Sequence, residues 1–159
     1  MNFRGNFNRI GEIDVSELRA LGLDLSDAPW QDLDGRQNRY EVHKPTETIG
    51  LVYDPDFRHT HPTRLPALQI FEAALKPALW MIADHKDMNV SLTHSHRVHL
   101  PLITNADVLF TVGSETINMP EGQLFEVNNR RVHSVHNGGT EDRIHLILDF
   151  VLPGEKCCC

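Results

Sequence analysis

Two hydrophobic periodicities divide the chain. From Thr93 onward, short segments alternate apolar and polar residues: RVHLPLI (97–103), VLFTV (108–112), ETINM (115–119), QLFEV (123–127), RVHSVH (131–136) and RIHLILDFV (143–151). Turns containing TNAD, VGS, PEG, NNR and NGGTED separate them. Alternation of period two puts one set of side chains on each face of a strand, so this half predicts many short strands in a sandwich or barrel. Before it, LPALQIFEAALKPALWMIAD spaces Leu68, Phe71, Leu75 and Leu79 by threes and fours, the period of a helix over 65–84. Pro66 suits the first turn of that helix. Pro77 predicts a break, with the chain from about Leu79 to Asp87 extended.

The N-terminal stretch mixes both signals. FNRIGEI (7–13) reads as a strand, SELRALGL (16–23) as a short helix capped by Asp14 or Ser16, and RQNRYEVH (36–43) and TIGLVY (48–53) as half-buried strands. DPDFRHTHPTRLP (54–66) is punctuated by prolines and reads as a loop exposing His59 and His61. The predicted organisation is a single domain, 1–159: strands and loops over 1–64, the helix over 65–84, a β core over 85–151 and a tail over 152–159. The class is mainly β with flanking helices.

Composition narrows the partners. At 159 residues, 40% hydrophobic, the chain is long enough for a proper core. A net charge of −7 argues against a broad nucleic-acid surface. No apolar run approaches the roughly 18 residues of a membrane span, and no basic-then-apolar leader precedes the first strand. The only cysteines are Cys157, Cys158 and Cys159, so the framework is expected to be free of disulfides and suited to a reducing, cytoplasmic setting.

The chemistry concentrates between His85 and Asp149, where seven of the ten histidines fall. His85 and Asp87 form H-x-D, with His133 well downstream, the pattern of a 2-His-1-carboxylate centre that suits non-haem Fe(II). On a strand His85 and Asp87 share a side; on a helix they would stand about 200° apart, so this reading requires extended backbone there. Asn137-Gly138-Gly139 signals a hairpin turn, and His133 and Arg143 lie five residues on either side of Gly138, facing each other in a simple hairpin. Arg143, His145, Ile147 and Asp149 share one face of the last strand. An inward arginine needs an anion, either a dicarboxylate cosubstrate or a protein carboxylate such as Asp149. Arg97 and His99 alternate with Val98 and Leu100, and one of these faces lines a cavity. His94, His96, His136 and His145 read as surface or hydrogen-bonded residues.

RVHLPLITN, PEGQLFEVNN, HSVHN and EDRIHLILDF together resemble the aspartyl/asparaginyl β-hydroxylase family, over about Ile82 to Val151. The resemblance implies a double-stranded β-helix (a jelly roll, cupin-like) and an Fe(II)- and 2-oxoglutarate-dependent dioxygenase hydroxylating an Asp-, Asn- or Pro-like residue or a small molecule. It implies metal ligation by His85, Asp87 and His133, a grip by Arg143 on the far carboxylate of 2-oxoglutarate, and cosubstrate contacts from Arg97 and His99. Animal aspartyl hydroxylases have Gly where this chain has Asp87, which sets it with the bacterial members. Two rival readings are a metal-binding cupin using His94, His96 and His133 without Arg143, and a non-catalytic jelly-roll binding module.

Overall fold

The computed structural model describes residues 5–25, 30, 35–39, 41–53, 63–82 and 96–150. Two antiparallel sheets make up its body. The first comprises β1 (Phe7–Glu12), β7 (Gln123–Val127), β4 (His96–Ile103) and β9 (Ile144–Phe150), in the order β1-β7-β4-β9. The second comprises β5 (Val108–Val112), β6 (Glu115–Ile117) and β8 (His133–Asn137), in the order β6-β5-β8. A two-residue ladder joins β2 (Val52–Tyr53) to β3 (Thr63–Arg64).

Alternation along β4 and β9 decides what each face meets. Val98, Leu100 and Leu102, with Leu124 of β7 and the flanking Ile144, Leu146 and Leu148, pack against Val15 and Leu18 near the start of α1 (Ser16–Asp24) and Phe71, Ala74 and Leu75 of α3 (Leu68–Ile82). On the opposite side Phe125 and Val127 meet Phe110 and Val112 of the second sheet, with Met119 between them and Phe7, Ile117 and Val135 around the margin. Helices, four-stranded sheet and three-stranded sheet thus stack in layers, an arrangement compatible with a β-sandwich. Gly122 closes the turn before β7 with φ of +78°, and a Cβ there would stand 2.6 Å from the Ile13 carbonyl. Only glycine fits that approach.

The strand pattern of the second half and the strand at Phe7–Glu12 match the alternation. Neither Asp14 nor Ser16 caps α1: Val15 holds the N-cap position with no side-chain cap bond, and Asp14 accepts from the Ser16 backbone N–H at 2.9 Å just ahead of the helix. Four further expectations are corrected. The described residues of RQNRYEVH are helical rather than extended, in α2 (Gly35–Arg39) and a 3-10 turn at Glu41–His43; alternation over so few residues is weak against the helix propensity of Arg and Gln. Of TIGLVY only Val52–Tyr53 is strand, because its partner strand is just two residues long. The helix runs through Pro77 to Ile82, so Leu79–Ile82 is not extended. The carbonyl that loses its donor is that of Ala73, and Ala73 and Pro77 are both exposed, so water can satisfy it while Phe71, Ala74 and Leu75 stay buried.

The last correction bears on function. NGG does not close a hairpin between β8 and β9. β8 pairs with β5, from Val108↔Asn137 to Val112↔His133, and Gly138 N–H continues that contact to the Asp107 carbonyl at 3.1 Å; β9 pairs with β4 in the other sheet. Ile144, Leu146 and Leu148 need the helix-covered face of the four-stranded sheet, whereas β8 contributes only Val135 to a core, so the strands part company after Asn137. Among the described residues no helix is long and apolar enough to cross a membrane.

Candidate active site

With the even-numbered residues of β4 and β9 committed to the helices, their odd-numbered neighbours face the second sheet. This wall carries Arg97 and His99 from β4, and Arg143, His145, Ile147 and Asp149 from the end of the chain's last strand. Arg97 stands opposite Asp149 and binds it through both arms, Nε to Oδ1 at 2.8 Å and Nη2 to Oδ2 at 2.7 Å. Burial works to lower the Arg97 pKa, but the hydrogen bonds and charge of Asp149 outweigh it and hold the guanidinium above its ordinary value. The carboxylate read from the sequence as a partner for Arg143 therefore belongs to Arg97.

Arg143 has no ion pair among the described residues. Its Nη1 is buried and has no hydrogen-bond partner among the described residues, and burial lowers its pKa. Beside it, His145 Nδ1 lies 3.5 Å from His99 Nδ1, and the His99 ring meets the Phe110 ring edge-on with centroids 5.0 Å apart. Burial, reinforced by the charge of Arg143, pushes the His145 pKa down to about 3. Burial likewise drives His99 well below its ordinary value, helped by His145, Arg97, Arg143 and His133. Both imidazoles are neutral at physiological pH. His145, expected from the sequence as a surface or hydrogen-bonded residue, stands instead on this half-buried wall, and the face shared by Arg143, His145, Ile147 and Asp149 is the signal for it.

His133 approaches from the other sheet. It pairs with Val112 and lies on the face of Val135, toward the shared core. Its Nδ1 donates to the Arg131 carbonyl at 2.9 Å, which fixes the tautomer and leaves the Nε2 lone pair for a ligand. His133 and Arg143 do not face each other across a hairpin; they come from different sheets, and both act electrostatically on His99. The packing of the two sheets, rather than a local turn, brings both within electrostatic reach of His99.

Other histidines go elsewhere. His96 points to the helix side of β4, where its Nδ1 meets Glu126 Oε1 at 2.5 Å, a pair buried on both sides. It cannot share a metal with His133 on the opposite face, which weighs against the cupin set. His136 is exposed. His59, His61, His85, Asp87 and His94 lie outside the described residues, and no group of three His, Cys, Asp or Glu gathers to hold a metal among the residues described. Among the described residues the arrangement offers one exposed imidazole with its tautomer fixed and, on the facing sheet, a buried guanidinium atom without a partner.

The model of the aspartyl/asparaginyl beta-hydroxylase family matches residues 16–153, from the start of α1 to beyond the end of β9. No curated protein matches the chain.

Proposed function

The chain belongs to the aspartyl/asparaginyl β-hydroxylase family, and from that premise we propose that it is an Fe(II)- and 2-oxoglutarate-dependent dioxygenase acting on an Asp-, Asn- or Pro-like amino-acid residue or a small molecule. Arg143 carries the reading: a buried guanidinium atom with no partner among the described residues calls for an anion, and a dicarboxylate supplies one. Consecutive strands passing from sheet to sheet, β4 to β5, β6 to β7, β7 to β8 and β8 to β9, support assigning the sandwich as a double-stranded β-helix.

In this reading His133 Nε2, with His85 and Asp87, holds the metal. Bound Fe(II) with 2-oxoglutarate supplies dioxygen activation coupled to oxidative decarboxylation of the cosubstrate. Arg143 binds the far carboxylate and sets the direction in which the cosubstrate lies. Neutral His99 and the edge of Phe110 line its path without competing for charge. Arg97, held by Asp149, keeps the outer end of the wall in place. The absence of cysteine before Cys157 accords with a reducing compartment.

The test is formation of succinate from 2-oxoglutarate by the Fe(II)-loaded protein, with binding of 2-oxoglutarate followed by calorimetry. Arg143→Met is expected to abolish both. Unchanged binding in Arg143→Met, or no binding of 2-oxoglutarate by the native chain, would overturn the assignment.

A further inference from the structure

Three buried side-chain atoms without a partner among the described residues gather at one end of the β4–β9 ladder: Thr104 Oγ1, Arg143 Nη1 and His145 Nε2. Thr104 and Arg143 flank the Ile103↔Ile144 pair, and His145 stands opposite Pro101 one step further along. Buried polar atoms are almost always hydrogen-bonded, so three without partners at one place mark a missing polar ligand better than any one alone. The character of the three atoms says what that ligand is. Arginine only donates, a threonine hydroxyl donates on demand, and His145 does either according to its tautomer.

His99 is placed to set the tautomer. Read as a hydrogen bond, the 3.5 Å contact between the two Nδ1 atoms has one ring donating and the other accepting. With His99 donating, His145 carries its proton on Nε2, and the three atoms become three donors. With His145 donating, its Nε2 would present a lone pair next to the Arg143 guanidinium, yet these two do not hydrogen-bond. We propose that Thr104, Arg143 and His145 form one three-donor seat for a carboxylate, with His99 acting as a positioning residue that keeps His145 Nε2 protonated. A carboxylate offers about four acceptor sites on two oxygens, enough for all three donors. This rests on the dioxygenase reading and deepens it: the seat is for the far carboxylate of the cosubstrate, and His99 serves it through His145 rather than by touching it.

Glutarate, a five-carbon dicarboxylate without the keto group, probes the seat on the metal-free protein, and 2-oxoglutarate probes the whole site on the metal-loaded protein. By calorimetry His145→Phe is expected to weaken glutarate about tenfold, Thr104→Val by a smaller factor, and His145→Gln, whose amide keeps a donor, to recover most of the loss. Nitrogen-15 spectra of the imidazoles are expected to show His145 protonated at Nε2 and shifting when glutarate binds; in His99→Phe that preference is lost. Thermal unfolding confirms that each variant is folded. Native-like glutarate binding in folded His145→Phe, or a His145 protonated at Nδ1, would overturn the seat while leaving the dioxygenase reading standing. Failure of the native chain to bind either dicarboxylate would overturn both.

Discussion

The two faces of β4 and β9 use the same backbone for opposite ends. On the helix side, Val98, Leu100 and Leu102 meet Ile144, Leu146 and Leu148 in an aliphatic layer, with the buried polar pair His96 and Glu126 bonded to each other at its end. One residue along each strand, the side chains are Arg97, His99, Arg143, His145 and Asp149, with two buried atoms left unsatisfied. The first face gains from every aliphatic group it removes from water; the second buries groups that lose by it. A sheet carries such a wall only because its other side is so well packed.

That contrast sets the order of expected effects on stability. Leu100→Ala, at a fully buried position on the aliphatic face, should cost about 2–5 kcal/mol in urea unfolding. A loss below about 1 kcal/mol would mean that the aliphatic face does not carry the polar one.

Acid should expose the second face. In the unfolded chain His145 titrates near 6.5, whereas in the folded protein it does so at about 3. Between these values the unfolded state takes up a proton that the folded state refuses, so stability falls as pH falls from about 6.5 toward 3, by up to about 1.4 kcal/mol per pH unit for this one group. His99, also depressed, adds to the slope. Urea midpoints measured from pH 7 to pH 4 should fall less steeply in His145→Phe than in the native chain; parallel profiles would show that His145 titrates normally.

Smaller effects distinguish the two arginines. Arg97→Met strands Asp149 and should cost about 1–3 kcal/mol, with part regained in Arg97→Met/Asp149→Leu. Arg143→Met removes a cation whose buried Nη1 lacks a partner among the described residues, so stability should be unchanged or rise by up to about 1 kcal/mol even as cosubstrate binding is lost. Equal losses from the two substitutions, read by thermal unfolding, would break the distinction between a paired and a waiting arginine.

The sequence made the strands legible because alternation is local: each of β4 to β9 shows in its own residues and in the turn beside it. It also showed that Arg143, His145, Ile147 and Asp149 share a face. Partnership was another matter. NGG promised a hairpin, but whether β9 lies beside β8 or β4 depends on where Leu146 and Leu148 find cover, and that cover comes from a helix more than sixty residues earlier. Which carboxylate serves which arginine followed from the same non-local choice. Pro77 misled for a related reason, since its cost depends on whether the orphaned Ala73 carbonyl sees water. His85 and Asp87, the H-x-D of the sequence reading, lie outside the described residues.

Placing His133 on one sheet and Arg143 at the head of a strand in the other makes the molecule a caliper. The jaws are the two sheets, and the spacer between them is Phe110, Val112, Met119, Phe125 and Val127. What the jaws span is then measured by the bulk of side chains that touch no ligand. Trimming the spacer, as in Met119→Ala, is expected to change which length of dicarboxylate fits best, with every polar group of the site still in place.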